Sequence, residues 1–291
     1  MLPNHLLHEL RYLEIYTARQ IRNIRGGTFT TRMRGQGFDF DQHRPYHPGD
    51  DVRRIDWNAT ARLQEPFLRQ THAERELNLV IALDVSPSMR YGTERYSKRD
   101  LLIVIAGCLL FSALADGINT GFLSFSDRVI SYHQPRRVRA RAWSTLEELW
   151  SLDVPAATTA IAPAARFLAG RLRKPSIIVF VSDFMTGEDL GTSRDMKVLA
   201  ARHDLIGAVI EDPVETALPA GNGLVRVRDL ETRAVRRVGL GTGLRRAYAE
   251  FVARQRQTLT HSLYRIPMDH VVVRADGNVV EPLLRLFASR R

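Results

Sequence analysis

An aspartate followed at alternate positions by two serines, Asp84-x-Ser86-x-Ser88, turns one carboxylate and two hydroxyls to the same side of a loop. A second acid, Asp183, closes another apolar run, Val179-Phe180-Val181-Ser182-Asp183. These are hard oxygen donors, the kind that magnesium takes. That ion wants six oxygens at about 2.1 Å, keeps several waters, and uses only one or two protein carboxylates. Because the hydroxyls are neutral, an ion held by them stays electrophilic and short of one ligand, which a carboxylate from another protein can supply. The competing reading is structural: Asp84 and Ser86 cap one helix and Asp183 the next. Capping explains each residue singly, but it does not require hydroxyls at both alternate positions together with an acid on a second strand end.

The surrounding pattern must place these acids side by side. Leu77 to Leu83 is a continuous apolar run ending at Asp84, followed by a loop and a long helix near Tyr96 to Ala115. Strands are expected at Thr120 to Phe125, Arg128 to Tyr132, Ser176 to Val181, Leu205 to Ile210 and His270 to Val273. Helices are expected at about Val138 to Leu152, from the Ala156–Ala160 loop to Leu172, and over Met196 to Arg202, Gly243 to Leu263 and Val280 to Ala288. Gly223 to Leu240 reads as a polar hairpin. Apolar strands alternating with helices predict an α/β fold, a doubly wound, mainly parallel sheet covered on both faces. Ligands of such sheets sit outside the carboxyl ends of the strands, where strand order reverses. Ahead of this domain, residues 4–24 space Leu6, Leu10, Leu13, Tyr16 (or Thr17) and Ile21 as an amphipathic helix that stops at Gly26-Gly27. Thr28 to Glu76 has no sustained period and is expected to form short strands and turns packed on something larger. The predicted division is therefore 1–76 and 77–291.

Composition excludes several classes. The chain has 291 residues, 44% hydrophobic and 25% charged, enough for one or two domains with a core that needs no staples. One cysteine, Cys108, excludes a disulfide framework and any cysteine-rich metal site. The longest apolar run, Leu101 to Ala115, is fifteen residues, short of the ~20 that a membrane span needs. The expectation is a soluble protein of a reducing compartment, the cytoplasm. The net charge of +10 invites a nucleic-acid reading. Yet the excess is spread along the chain, and only Arg136, Arg137, Arg139 and Arg141 cluster, without interleaved aromatics. Nucleic acid is not an expected partner.

Asp84-x-Ser86-x-Ser88, a threonine in a small-residue loop and Asp183 together resemble the metal-ion-dependent adhesion site of von Willebrand factor type A domains. The resemblance implies a Rossmann-type fold and an ion, Mg²⁺ or in its place Mn²⁺, surrounded by Asp84, Ser86, Ser88, Thr159 and Asp183. Thr159 is carried over because it leads into Ala160-Ile161-Ala162-Pro163-Ala164 as the family's threonine leads into its helix. Ala160 stands where the family often has an acid, and Thr158 adjoins, so either threonine could fill the role. Upstream, Arg44-Pro45-Tyr46-His47-Pro48-Gly49-Asp50-Asp51-Val52-Arg53-Arg54-Ile55-Asp56-Trp57-Asn58-Ala59-Thr60-Ala61-Arg62 resembles the signature of the family called domain of unknown function 58, as does Gly35-Gln36-Gly37-Phe38-Asp39-Phe40. There it precedes a von Willebrand-like domain. Many relatives carry a transmembrane pair ahead of it, so this chain resembles the short, soluble form. The resemblance also implies a MoxR-type AAA+ ATPase as partner.

In the signature, Arg44, Tyr46, Gly49, Asp50, Asp51, Arg53, Asp56, Trp57 and Arg62 support two readings: an ion-pair lattice with an aromatic anchor, or a docking surface. His43, His47 and Asp50 lack a regular element that would fix them as metal ligands. No Gly-x-Ser-x-Gly elbow or Gly-x-x-x-x-Gly-Lys loop is present. Gly239-x-Gly241-x-Gly243 follows a polar hairpin and reads as a turn. The expected function is a non-enzymatic, Mg²⁺-dependent protein-binding module or adaptor with no catalytic residues. The alternatives are a metal-dependent phosphoesterase or nuclease and a scaffold with a vestigial site.

Overall fold

A computed structural model describes residues 1–23, 39–47, 50, 52, 55–63, 65–72, 77–94, 96–137, 142–152, 154, 158–230 and 234–289. It divides into two compact units, Met1–Arg32 with Leu77–Arg291, and Met33–Glu76. The first helix, α1 (Asn4–Asn23), thus joins the large unit rather than the segment that follows it. The physical reason is its apolar face: Leu6, Leu10 and Leu13, with Leu2 just ahead of the helix, are buried in the same core as the long helix α3 (Lys98–Ala115). Gly107 of α3 lets the two helices approach, since a Cβ there would collide with the Leu10 side chain.

In the small unit, β1 (Asp39–Pro45) pairs antiparallel with β2 (Phe67–His72), and a short helix, α2 (Trp57–Leu63), lies between them in sequence. The strands agree with the expectation of short strands and turns; α2 was not foreseen.

The large unit is built on a six-stranded sheet. Its strands are β3 (Asn78–Asp84), β4 (Asn119–Phe125), β5 (Val129–Arg136), β6 (Ser176–Ser182), β7 (Asp204–Glu211) and β10 (Asp269–Arg274), in the order β10-β7-β6-β3-β4-β5. All pairings are parallel except that of β4 with the edge strand β5. The chain first winds from β3 outward through β4 to β5, then returns to the other side of β3 and winds through β6 and β7 to β10. Strand order therefore reverses between β3 and β6, and a doubly wound sheet leaves its crevice there.

Both faces are covered, which explains why β3 and β6 are buried at every position. Leu79, Ile81, Leu83, Ile177, Val179 and Val181 pack in one core with α1, α3, α4 (Ala142–Ser151) and α9 (Val280–Ser289). Val80, Ala82, Ile178 and Phe180 pack in the other with α5 (Ala162–Arg171), α6 (Arg194–Ala200) and α8 (Thr242–Arg265). A one-turn helix, α7 (Pro213–Thr216), follows β7, and β8 (Gly223–Arg228) with β9 (Val235–Leu240) forms the expected exposed hairpin. Among the described residues no helix is long and apolar enough to cross a membrane.

Candidate functional site

Asp84 ends β3 and Asp183 follows β6, so the two acids flank the point where the sheet reverses. Asp84 is completely buried and Asp183 nearly so. Every hydrogen-bond partner of Asp84 is neutral: Oδ1 accepts from Ser86 N at 2.9 Å and Oδ2 from Ser182 Oγ at 2.6 Å. Burial pushes its carboxyl up to about 6, with the charge of Asp183 adding to the shift and the bonds from Ser182 and Ser86 opposing it. Among the described residues, no cation hydrogen-bonds to this buried carboxylate.

The hydroxyls form a chain beside it. Thr159 Oγ1 donates to Ser86 Oγ at 2.9 Å, and Ser86 Oγ lies 3.0 Å from Ser88 Oγ. Between the two candidate threonines the geometry favours Thr159, which is buried, over Thr158, which is exposed. Its loop is fixed at both sides. Ala160 N donates to Ser126 O, in the β4–β5 turn, at 2.9 Å. Glu188, in the loop after β6, accepts from Ile161 N and Ala162 N at 2.7 and 3.2 Å, supplying the start of α5 with the cap that Ile161 lacks. The loop between α4 and α5 is thereby tied to the segments that follow β3, β4 and β6.

None of the predicted metal residues caps a helix. Ser97 and Asp100 form the capping box of α3, and Ser193 caps α6. Ser86 precedes the short 3₁₀ turn Pro87–Arg90 without a side-chain cap bond. Asp183 Oδ1 instead accepts from Met185 N at 2.9 Å. Next to it, Phe184 takes a left-handed φ of 55°, a conformation that costs a side-chain-bearing residue about 1 kcal/mol or more and that clusters at functional sites. The structural reading of these acids as helix caps is thus not what the fold uses.

Sequence reasoning missed the cation beside them. Lys98 is fully buried, and its Nζ donates to Asp183 Oδ2 at 2.7 Å and Glu215 Oε1 at 2.6 Å. It stands at the first position of α3, where the helix dipole disfavours a positive charge, so the two carboxylates are what keep it there. They hold the ammonium above its ordinary range against the opposing effect of burial. Glu215 belongs to the capping box of α7 with Asp212, whose Oδ2 accepts from Thr93 N at 2.8 Å. A signal was present in the sequence: a lysine next to a helix-capping serine, one of only three lysines in the chain.

The donor set fits a hard dication by type. Two carboxylates and three hydroxyls converge from three loops, and one of the carboxylates is buried without a positive partner. Among the described residues no three His, Cys, Asp or Glu side chains group as ligands of a metal ion. A cavity of about 540 Å³ does not enclose this cluster but opens beside it, bordered by Asp183, Met185, Glu215 and Phe251.

The signature segment is described in part. Tyr46 N donates to Pro66 O at 2.8 Å, His47 N to Asp50 Oδ2 at 2.9 Å and Asp56 N to Phe67 O at 2.9 Å. Arg44 lies in β1 and pairs with Leu68. Trp57, expected as an aromatic anchor, opens α2 and is 70% exposed; Arg62, in the last turn, is also exposed. Gly49, Asp51 and Arg53 lie outside the described residues, as does much of the expected ion-pair lattice.

A family model described as "Protein of unknown function DUF58" matches residues 42–258. The uncharacterized protein Rv1480 of Mycobacterium tuberculosis is 28% identical over 284 residues, covering 97% of this chain and 89% of that protein. The uncharacterized protein MAV169 of Mycobacterium avium is 26% identical over 119 residues, 41% of this chain and 69% of that protein. Of solved structures, the conserved hypothetical protein BatB from Bacteroides thetaiotaomicron has a TM-score of 0.47 at 15% identity, covering 73% of this chain and 98% of that one. An aerotolerance-related membrane protein from Bacteroides fragilis has the same TM-score at 16% identity, covering 73% and 97%.

Proposed function

Because this chain belongs to the DUF58 family, whose name carries no activity, we propose one from its site: a non-enzymatic, Mg²⁺-dependent protein-binding module. One observation carries it, the convergence of Asp84, Asp183 and the Thr159–Ser86–Ser88 hydroxyls at the reversal point of the sheet, with Asp84 buried and unpaired to any cation. In this reading the donor set is an adhesion-type site like that of von Willebrand factor type A domains. Asp84, Ser86, Ser88, Thr159 and Asp183 would hold Mg²⁺ or Mn²⁺, and the bound ion would supply Lewis acidity toward a carboxylate of the partner. The chain's own part is to position neutral hydroxyls so that the ion keeps its electrophilicity.

A binding role suits the groups described at the site, among which no activated nucleophile is seen. Burial pushes the Cys108 thiol up to about 12, leaving it inert. The Ser86 and Ser88 hydroxyls bond one another, and Ser86 accepts from Thr159, with no histidine among these contacts. We place the protein in the cytoplasm, working as an adaptor with a MoxR-type AAA+ ATPase. The test is affinity capture from the native lysate in Mg²⁺ and in EDTA. The wild type is expected to retain a protein that EDTA releases, and Asp84→Ala to lose that protein, at least 100-fold, while its circular dichroism is unchanged. Capture indifferent to both EDTA and the substitution contradicts the proposal.

A further inference from the structure

Three carboxylates, Asp84, Asp183 and Glu215, surround the carboxyl ends of β3, β6 and β7, and a single ammonium is buried among them. Lys98 does not divide itself evenly: its two hydrogen bonds go to Asp183 and Glu215, and neither partner of Asp84 is a cation. Both oxygens of Asp183 are engaged, Oδ1 by Met185 N at 2.9 Å and Oδ2 by Lys98 Nζ at 2.7 Å. A divalent ion reaching Asp183 must therefore either share that carboxylate with the ammonium or meet it through water. Two positive charges on one buried carboxylate repel each other strongly, since the low local dielectric screens them little.

We propose that Lys98 is a tethered competitor of the divalent ion, a positioning residue that holds Asp183 back from direct ligation and sets the affinity of the site. This rests on the reading of the site as a metal centre. Glu215 is the counterweight. By accepting the second hydrogen bond it draws the ammonium toward α7 and leaves Asp183 partly available. Lys98 and Glu215 thus act on the ion with opposite signs, although both contribute to the same buried ion pair and both would be expected to stabilise the fold.

That opposition separates the proposal from a merely structural role. The experiment is Mn²⁺ titration by calorimetry and by the electron paramagnetic resonance of free Mn²⁺, on the full chain, with thermal melts of each variant. Lys98→Met is expected to bind Mn²⁺ at least ten-fold more tightly than wild type and to gain a larger Mn²⁺-induced rise in Tm. Glu215→Gln is expected to bind several-fold more weakly, and Lys98→Arg, which keeps the charge, to stay within about three-fold of wild type.

Wild-type binding with Lys98→Met equal or weaker overturns the proposal and leaves the metal reading standing. No uptake by wild type but uptake by Lys98→Met supports the tethered competitor and overturns Mg²⁺-dependent function. No uptake by either overturns both. If Lys98→Met does not fold, Glu215→Gln and Lys98→Arg decide: weaker and near-unchanged binding support the proposal, and any other pair of results overturns it.

Discussion

At the carboxyl edge of the sheet, Asp84, Asp183, Lys98 and Glu215 are drawn from four segments and linked by charge. The amino edge buries polar groups too, in neutral hydrogen bonds or, for one histidine, without any. Asn119 Nδ2 donates to Asn78 Oδ1 at 3.2 Å, and Ser176 Oγ donates to the carbonyl of Lys174 at 2.9 Å. His203, just ahead of β7, is buried with neither ring nitrogen hydrogen-bonded. Among the described residues, Lys98 is the one cation buried in this fold. Stability alone needs nothing of the kind, because replacing a buried ion pair with packed apolar side chains is often neutral or favourable. The difference teaches where to look for a ligand: at the edge where buried charges are gathered across strands.

Acid and base titration should pull the two edges apart. Asp84 has a folded pKa of about 6, raised from 3.8, so its contribution to stability is fully present below the unfolded value and is lost as pH rises through the folded one. Without divalent ion, stability at pH 7.5 should therefore be lower than at pH 4. Asp84→Asn should remove that loss, raising Tm at pH 7.5 and flattening the profile. His203 works in the other direction. Burial, with Arg202 nearby, lowers it from 6.5 to about 4, so its contribution is present above the unfolded value and disappears as pH falls through the folded one. His203→Leu should protect the protein in that acid window without altering behaviour above it. Melts from pH 4 to 8 in EDTA check both signs; a common sign breaks the comparison.

A smaller effect sharpens the contrast. Glu188→Ala removes the acceptor for Ile161 N and Ala162 N and should cost about 1 kcal/mol in denaturant melts. Because the Thr159 loop loses its anchor, Mn²⁺ affinity should fall a few-fold as well. Asn119→Ala removes the 3.2 Å bond to Asn78 and should cost a similar ~1 kcal/mol with Mn²⁺ affinity unchanged. Equal effects of both substitutions on the ion would mean that the carboxyl edge is no more specialised than the amino edge.

Most of the fold was legible because its strands are buried on both faces and read as unbroken apolar runs. Asp84 and Asp183 were singled out because each terminates such a run, and Thr159 because of a resemblance. Lys98, Glu215 and Ser182 escaped notice for a physical reason: their roles depend on which strand ends become neighbours. The order β7-β6-β3 is set by crossover connections, and local periodicity carries no record of it. Glu215 lies 117 residues from Lys98 in sequence and 2.6 Å away in space. The apolar stripe of α1 announces burial without naming the partner, which turns out to be α3.

The measurement that bears most directly on the central claim is Mn²⁺ binding to the wild type and to Asp84→Asn, followed by the loss of the free-ion resonance at pH 7.5. The account predicts one site per chain in the wild type and none in the variant, with both proteins equally folded. No uptake by the wild type, or equal uptake by the two, would contradict it.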